Sequence, residues 1–298
     1  MSASSFWSTH VFVLASPDAL LRGLGLPLVQ RLRREGFAPV AGKLVRTTPD
    51  MIDALYADVI AGSWQTWRYR LVDLSFAVGP TLALICRYTG PVDDPHELMR
   101  QRKGSSHPHL SAEGTIRRHF GAINNVLGIM HASDGSAESE KDSSIFGLTE
   151  SDAITDRPLA REYVDYLAEL SCPVLPENRG YLGVLAGVRA RILLSTLPEL
   201  PRELVGKVRS EFGQPAELAA DDAGNRLSAL LTESLPEALL EALTCEFTPE
   251  WREEHPRSRL WEVLHRYGVA LDAWERLVLD TSLYFPSVRT HTAVVVSR

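Results

Sequence analysis

Apolar and polar positions in the first half of the chain switch between two periods. Runs rich in β-branched and apolar residues at 9–14 (THVFVL), 37–45, 81–88 (TLALICRY) and 125–130 predict strands. Between them the spacing is helical. Apolar positions from Leu20 to Leu32 recur on one helix face up to Gly36, and Pro49-Asp50 opens a helix that contains Tyr56. A helix over 64–76 ends at the Gly79-Pro80 turn, and a short helix spans 95–103. A long loop over 104–124 leads to the fourth strand and a helix over about 135–145. The order β-α-β-α-β-α-β predicts an α+β, ferredoxin-like sheet with its helices on one side, burying a single core.

The second half reads as mostly α-helical. Helices are expected over 158–170, 181–197 and 202–212. Leu227, Leu230, Leu231, Leu235, Leu239, Leu240 and Leu243 form a helical stripe interrupted at Pro236. A turn is expected at Trp251, and Trp261, Leu264, Tyr267, Leu271, Trp274 and Val278 mark a helix over 260–279. The closing run 290–296 (THTAVVV) predicts a strand suited to a sheet edge. These stripes are most simply core or helix–helix packing. The division is therefore a domain over 1–148 and a mostly helical one over 149–298.

Composition narrows the class. The chain has 298 residues, enough for two domains with separate cores, and is 45% hydrophobic and 23% charged, as soluble globular proteins are. No apolar run reaches the roughly 20 residues needed to span a bilayer. The start, MSASSFWSTH, lacks the basic-then-apolar order of a signal peptide. Cys86, Cys172 and Cys245 are few, odd in number and far apart, which points to a reducing cytoplasm and away from a disulfide framework or a cysteine metal site. Residues 1–148 carry 15 Lys and Arg against 14 Asp and Glu, and the remainder 16 against 24. Neither half is basic enough for a nucleic-acid face, and the acidic second half reads as a solvated helical surface.

The candidate chemistry lies between Arg100 and Asp142. Arg100 and Arg117 are permanently charged forks able to grip phosphate oxygens, and Gly104, Gly114 and Gly121 let a long loop fold close to a ligand. His131 follows the apolar run 126–130 and precedes Ala132-Ser133-Asp134, at the passage from strand to helix. A neutral imidazole there suits nucleophilic catalysis; the bland alternative is a core histidine at a strand end. His107-Pro108-His109 lacks the convergent ligands of a metal site. His131, Ser133 and Asp134 are too close in sequence for a hydrolytic triad, and Ser133 reads better as a helix cap.

In this stretch the chain resembles the nucleoside diphosphate kinase family. The pattern stands as Arg100, Gly104-Ser105-Ser106-His107-Pro108, Gly114-Thr115-Ile116-Arg117, Phe120-Gly121 and His131-Ala132-Ser133-Asp134. Many matches in order make the signal specific, and the resemblance runs from Thr9 to about Leu148. It implies that His131 takes the γ-phosphoryl group of a nucleoside triphosphate and passes it to an acceptor. It implies that Asp142 holds the ring, with a solvated helical carboxylate as the alternative. Arg100, Arg117 and the hydroxyls of Ser106 and Tyr56 would contact phosphate, with Mg²⁺ accompanying the triphosphate. Trp64 falls where the family stacks an aromatic on the base, although core packing explains a tryptophan there equally well.

Two positions depart from the family. Its strand-ending lysine is replaced by Ser16, in Ser16-Pro17-Asp18, and its asparagine three residues before the histidine by Gly128. Of the four lysines, Lys103 is the one placed to substitute, and Asn124 and Asn125, in a loop one residue longer, are the candidates for the asparagine's place. The expectation is a phosphotransferase working on a nucleoside triphosphate and an unidentified acceptor, either a common nucleoside diphosphate or a specialised one. The alternative is a catalytically degenerate nucleotide sensor or scaffold acting through its helical domain. A homo-oligomer in the cytoplasm is compatible with either; nucleic acid and membrane are not expected partners.

Overall fold

A computed structural model describes residues 5–57, 70–171, 179–245 and 257–285. Trp64, the turn at Trp251 and the strand over 290–296 lie outside the described residues. Among those described, no helix is long and apolar enough to cross a membrane. Contacts divide the chain into two compact units, Met1–Leu175 and Pro176–Arg298.

The first unit is built in the order β1 (His10–Ala15), α1 (Pro17–Leu21), α2 (Gly25–Arg34), β2 (Phe37–Val45), α3 (Pro49–Leu55), α4 (Arg70–Ala77), β3 (Thr81–Tyr88), α5 (Pro95–Lys103), α6 (Ile116–His119), β4 (Met130–Ala132), α7 (Ser136–Ile145) and α8 (Arg157–Leu170). The strands form one antiparallel sheet in the order β2-β3-β1-β4, the ferredoxin-like arrangement. Leu14 lies opposite His131, so the central strand fixes the height of the histidine.

The expectation of helices on one side is corrected. Every residue of β1 is buried, which a strand shows only when both faces are covered. Val11, Val13 and Ala15 join Leu28, Val29, Leu32, Val164 and Ala168 in one core, from α2 and α8. Phe12 points the other way and stacks on Phe146, at 5.5 Å between centroids, just after α7. The helix α8 thus continues the sheet unit past residue 148: a Cβ on Gly42 of β2 would press on Leu167 and Val164 at 3.2 and 3.4 Å.

Two further boundaries differ from expectation. Helix 20–32 breaks at Gly23, whose φ of 71° ends α1 before α2 begins. The run 125–130 is not a strand until Met130. Asn124 Oδ1 accepts from the N–H groups of Val126 and Leu127, both at 3.0 Å, and folds the segment into a turn. Backbone groups that a ladder would have paired are claimed by side chains instead.

The second unit is helical: α9 (Tyr181–Thr196), α10 (Arg202–Glu211), α11 (Pro215–Leu218), α12 (Ala223–Leu231), α13 (Glu237–Thr244), α14 (Arg257–Arg266) and α15 (Ala273–Tyr284). Pro236 separates α12 from α13 as the leucine stripe indicated. The expected helix 260–279 is two, because the chain turns at Gly268 and restarts where Asp272 caps α15. Buried Arg189 donates from Nε to Leu243 O at 2.9 Å and from Nη1 to Leu218 O at 2.7 Å, satisfying carbonyls at the ends of α13 and α11.

Candidate active site

A cleft of about 890 Å³ opens in the first unit, and eight of the nine residues singled out in the sequence line it: Ser16, Tyr56, Arg100, Ser106, Arg117, Asn125, His131 and Asp142. They come from the end of β1, the end of α3, α5 and its following loop, α6, β4 and α7.

His131 sits on β4, and Asp142 on the buried side of α7. His131 Nε2 and Asp142 Oδ2 are 3.1 Å apart, and Ser133 Oγ donates to the same carboxylate oxygen at 2.7 Å. The side chain of Asp142 is 7% exposed and that of His131 25%, so the carboxylate is enclosed while the ring still reaches the cleft. A carboxylate only accepts, so this bond places the imidazole proton on Nε2 and the lone pair on Nδ1. Ser133, expected to cap α7, serves this carboxylate instead. The Tyr56 ring meets the imidazole edge-on at 5.9 Å between centroids. Burial pushes the Tyr56 hydroxyl pKa up to about 12, which keeps it an O–H donor.

Arg117 is buried and braces the segment before the histidine. It donates from Nε to Gly128 O at 3.2 Å, from Nη1 to Gly104 O at 2.9 Å and from Nη2 to Met130 O at 2.9 Å. Burial lowers its pKa from the usual arginine value. Two of its five N–H groups are not used in these bonds. Gly104, at φ 85°, sits where α5 passes into the loop, and a Cβ there would strike Thr115 at 2.7 Å. Arg100 is exposed on the same cleft, held by Glu97 through two bonds of 2.7 Å. That pairing draws the Glu97 carboxyl down to about 2. To meet a ligand, Arg100 has to exchange Glu97 for it. Ser106 is exposed, with Oγ 3.3 Å from His107 Nδ1.

The two departures have clear local geometry. Ser16 Oγ donates to Asp18 Oδ1 at 2.6 Å, and Asp18 Oδ2 accepts from Ile129 N–H at 3.0 Å. Asp18 is buried, and burial raises its carboxyl pKa. Ile129 has a φ of 73°, a left-handed backbone that β-branched residues rarely adopt. Asp18 and Arg117 hold the N–H and the carbonyl of the Gly128–Ile129 peptide, and Ser16 N–H donates to Ile129 O at 3.1 Å. At Gly128 a Cβ would meet nothing closer than 3.8 Å. The buried Oδ1 of Asn125, at the cleft, has no hydrogen-bond partner among the described residues. Sequence reasoning gave no role to Asp18, although its triplet was in view, to Asp134, weighed only for a triad, or to Glu138 and Lys141; the last three line the cleft. Their roles depend on tertiary neighbours that no local pattern encodes.

Among the described residues no group of three His, Cys, Asp or Glu side chains is placed to hold a metal ion.

Residues 9–150 match the family model described as nucleoside diphosphate kinase. The chain is 29% identical over 153 residues to a nucleoside diphosphate kinase of Bacillus cereus, covering 51% of this chain and 97% of that protein. It is 26% identical over 155 residues to one of Drosophila yakuba, covering 52% and 97%. The apo crystal structure of nucleoside diphosphate kinase from Encephalitozoon cuniculi aligns with a TM-score of 0.43 at 21% identity, over 52% of this chain and 99% of that one.

Proposed function

Since the N-terminal half, residues 9–150, belongs to the nucleoside diphosphate kinase family, we propose that the protein is a nucleotide-dependent phosphotransferase working through a phosphohistidine at His131. The observation that carries this reading is the pairing of His131 Nε2 with the enclosed Asp142 carboxylate inside the cleft. It leaves the Nδ1 lone pair as the nucleophile.

In the first step Nδ1 forms a bond to the γ-phosphorus, and the bond from phosphorus to the bridging oxygen breaks. The diphosphate leaves with that electron pair. Asp142 accepts the Nε2 proton's hydrogen bond throughout and steadies the positive ring as charge develops. In the second step an acceptor oxygen attacks the same phosphorus and the nitrogen–phosphorus bond breaks, restoring the neutral imidazole. A nucleoside diphosphate offers an oxygen already ionised, so that transfer has no proton to remove. Arg117, the Tyr56 hydroxyl and Arg100, once freed from Glu97, supply donors to the phosphate oxygens. Ser106 adds a hydroxyl, Ser16 borders the phosphates, and Asn125 Oδ1 accepts from a hydroxyl of the nucleotide. A Mg²⁺ ion carried by the triphosphate would screen its charge. The partners of this reading are a nucleoside triphosphate, a phosphate acceptor, whether a nucleoside diphosphate or a specialised one, and, in a homo-oligomer of the cytoplasm, further copies of the chain.

A second reading, a nucleotide sensor acting through the helical unit, is favoured by Ser16 being tied to Asp18 and Arg100 to Glu97. Incubation with γ-labelled ATP and Mg²⁺ separates the two. The kinase reading expects acid-labile label on the wild-type protein, chased off by a nucleoside diphosphate and missing from His131→Gln. Wild-type protein that binds ATP but never becomes labelled defeats it and leaves the sensor.

A further inference from the structure

Lys103 ends α5 with its side chain 9% exposed. It lines the same cleft as His131. Its ammonium donates to Ala132 O and to Asp134 Oδ1, both at 2.6 Å. The two contacts differ in kind. Ala132 is the next residue after His131 on β4, so the first bond fixes the ammonium to the strand that carries the histidine. Asp134 is 54% exposed on its side chain, so the second is a bond to a carboxylate already facing water. An ammonium has three protons, and these contacts use two.

The surroundings make Lys103 the cation with most to gain from an incoming anion. Arg117 spends three donors on backbone carbonyls, and Arg100 is exposed and chelated by Glu97. Burial lowers the Lys103 pKa, opposed chiefly by the hydrogen bond to Asp134. The same Asp134 carboxylate acts electrostatically on Arg100 and Arg117 as well. One carboxylate therefore acts on all three cations and touches Lys103.

We propose that Asp134 is an internal stand-in for phosphate and that Lys103 is the cation that meets the transferring phosphoryl group. On binding a triphosphate, Lys103 keeps Ala132 O and exchanges Asp134 for a phosphate oxygen. This makes Lys103 a binding residue, compensating for the uncharged Ser16 in the same cleft. The inference rests on the phosphotransferase reading for its catalytic half; its binding half stands without it.

The test uses the full-length chain and three variants: Lys103→Met, Asp134→Asn and the double variant Ser16→Lys with Lys103→Met. Lys103→Met should label roughly ten- to a hundredfold more slowly and bind a Mg²⁺-loaded non-hydrolysable triphosphate analogue about tenfold or more weakly, from loss of a charge-assisted contact. Asp134→Asn should bind the analogue more tightly than wild type. Adding Ser16→Lys should restore a substantial part of the Lys103→Met loss, which a merely structural lysine does not predict. Equal labelling by wild type and Lys103→Met overturns the inference and leaves the phosphotransferase reading intact. If wild type does not label, that reading fails instead, and analogue affinity decides. Equal affinity in wild type and Lys103→Met then overturns the inference, and weakened affinity in a folded variant supports it. Folding of each variant is checked by thermal melting, and a Lys103→Met that melts early is replaced by Lys103→Gln under the same criteria.

Discussion

At the scale of single residues, the cleft is organised by who holds whom. His131 is aimed by Asp142, Asp142 is steadied by Ser133, and the backbone before the histidine is held by Arg117 and Asp18. Replacing Asp142 by Asn keeps the size but turns an acceptor-only group into one that can also donate, so the ring loses its fixed tautomer. Asp142→Asn should slow labelling of His131 by roughly ten- to a hundredfold, the worth of one charge-assisted hydrogen bond. An unchanged rate in a rapid-quench assay removes Asp142 from the mechanism. Gly128 tests the family departure from the other direction. Its Cβ space is open to 3.8 Å, so Gly128→Asn should shift stability by no more than about 1 kcal/mol, measured by urea denaturation. Identities such as His131, Arg117 and Asp142 could be read from the sequence because their spacing is local to one loop and its flanking elements. Their present partners could not, since Glu97 on Arg100 and three carbonyls on Arg117 are set by packing.

At the scale of elements, side chains decide where strands and helices stop. The apolar run 125–130 has the composition of a strand, yet Asn124, Arg117 and Asp18 take its polar backbone groups first. Composition alone does not register that competition. Proline signals were more readable: Pro49 and Pro95 begin helices where expected, whereas the cap at Asp272 lay unread inside the single helix expected over 260–279. Asp272 accepts from Glu275 N–H at 2.8 Å while Glu275 answers to Asp272 N–H at 3.0 Å. Asp272→Ala should lower the stability of the helical unit by about 1 kcal/mol, read as a lower melting temperature. Between α5 and α7, buried His96 Nε2 lies 3.0 Å from Ser139 Oγ, which itself accepts from Phe12 N–H in β1. Burial lowers the His96 pKa from 6.5, so the folded state resists a proton that the unfolded chain accepts. Stability on this account is full above pH 6.5 and declines as pH falls from there toward the folded value. Denaturation midpoints at about pH 7.5 and pH 5.5 should differ more in wild type than in His96→Gln.

At the scale of the whole molecule, the ferredoxin-like class followed from the alternation of periods, and the coverage of both sheet faces did not. A strand such as THVFVL is apolar at four successive positions, Val11 to Leu14, and that continuity was the sign of a doubly covered sheet. The helix α8 belongs to that covering, with Val164, Leu167 and Ala168 in the core. A chain ending at residue 148 should therefore melt lower than one ending at residue 171, because it leaves the face of β2 and α2 bare. Equal melting temperatures would remove α8 from the stability of the sheet unit. The helical unit has its own buried core and its own internal arginine clamp.

The most direct test of the phosphohistidine is peptide mapping of the full-length protein after brief exposure to Mg²⁺ and ATP, kept at alkaline pH to preserve nitrogen–phosphorus bonds. The account predicts one added phosphoryl group on the peptide containing His131, carried on Nδ1 and lost on brief acid treatment. A phosphoryl group that maps to a serine or threonine, survives acid, or persists in His131→Gln contradicts it.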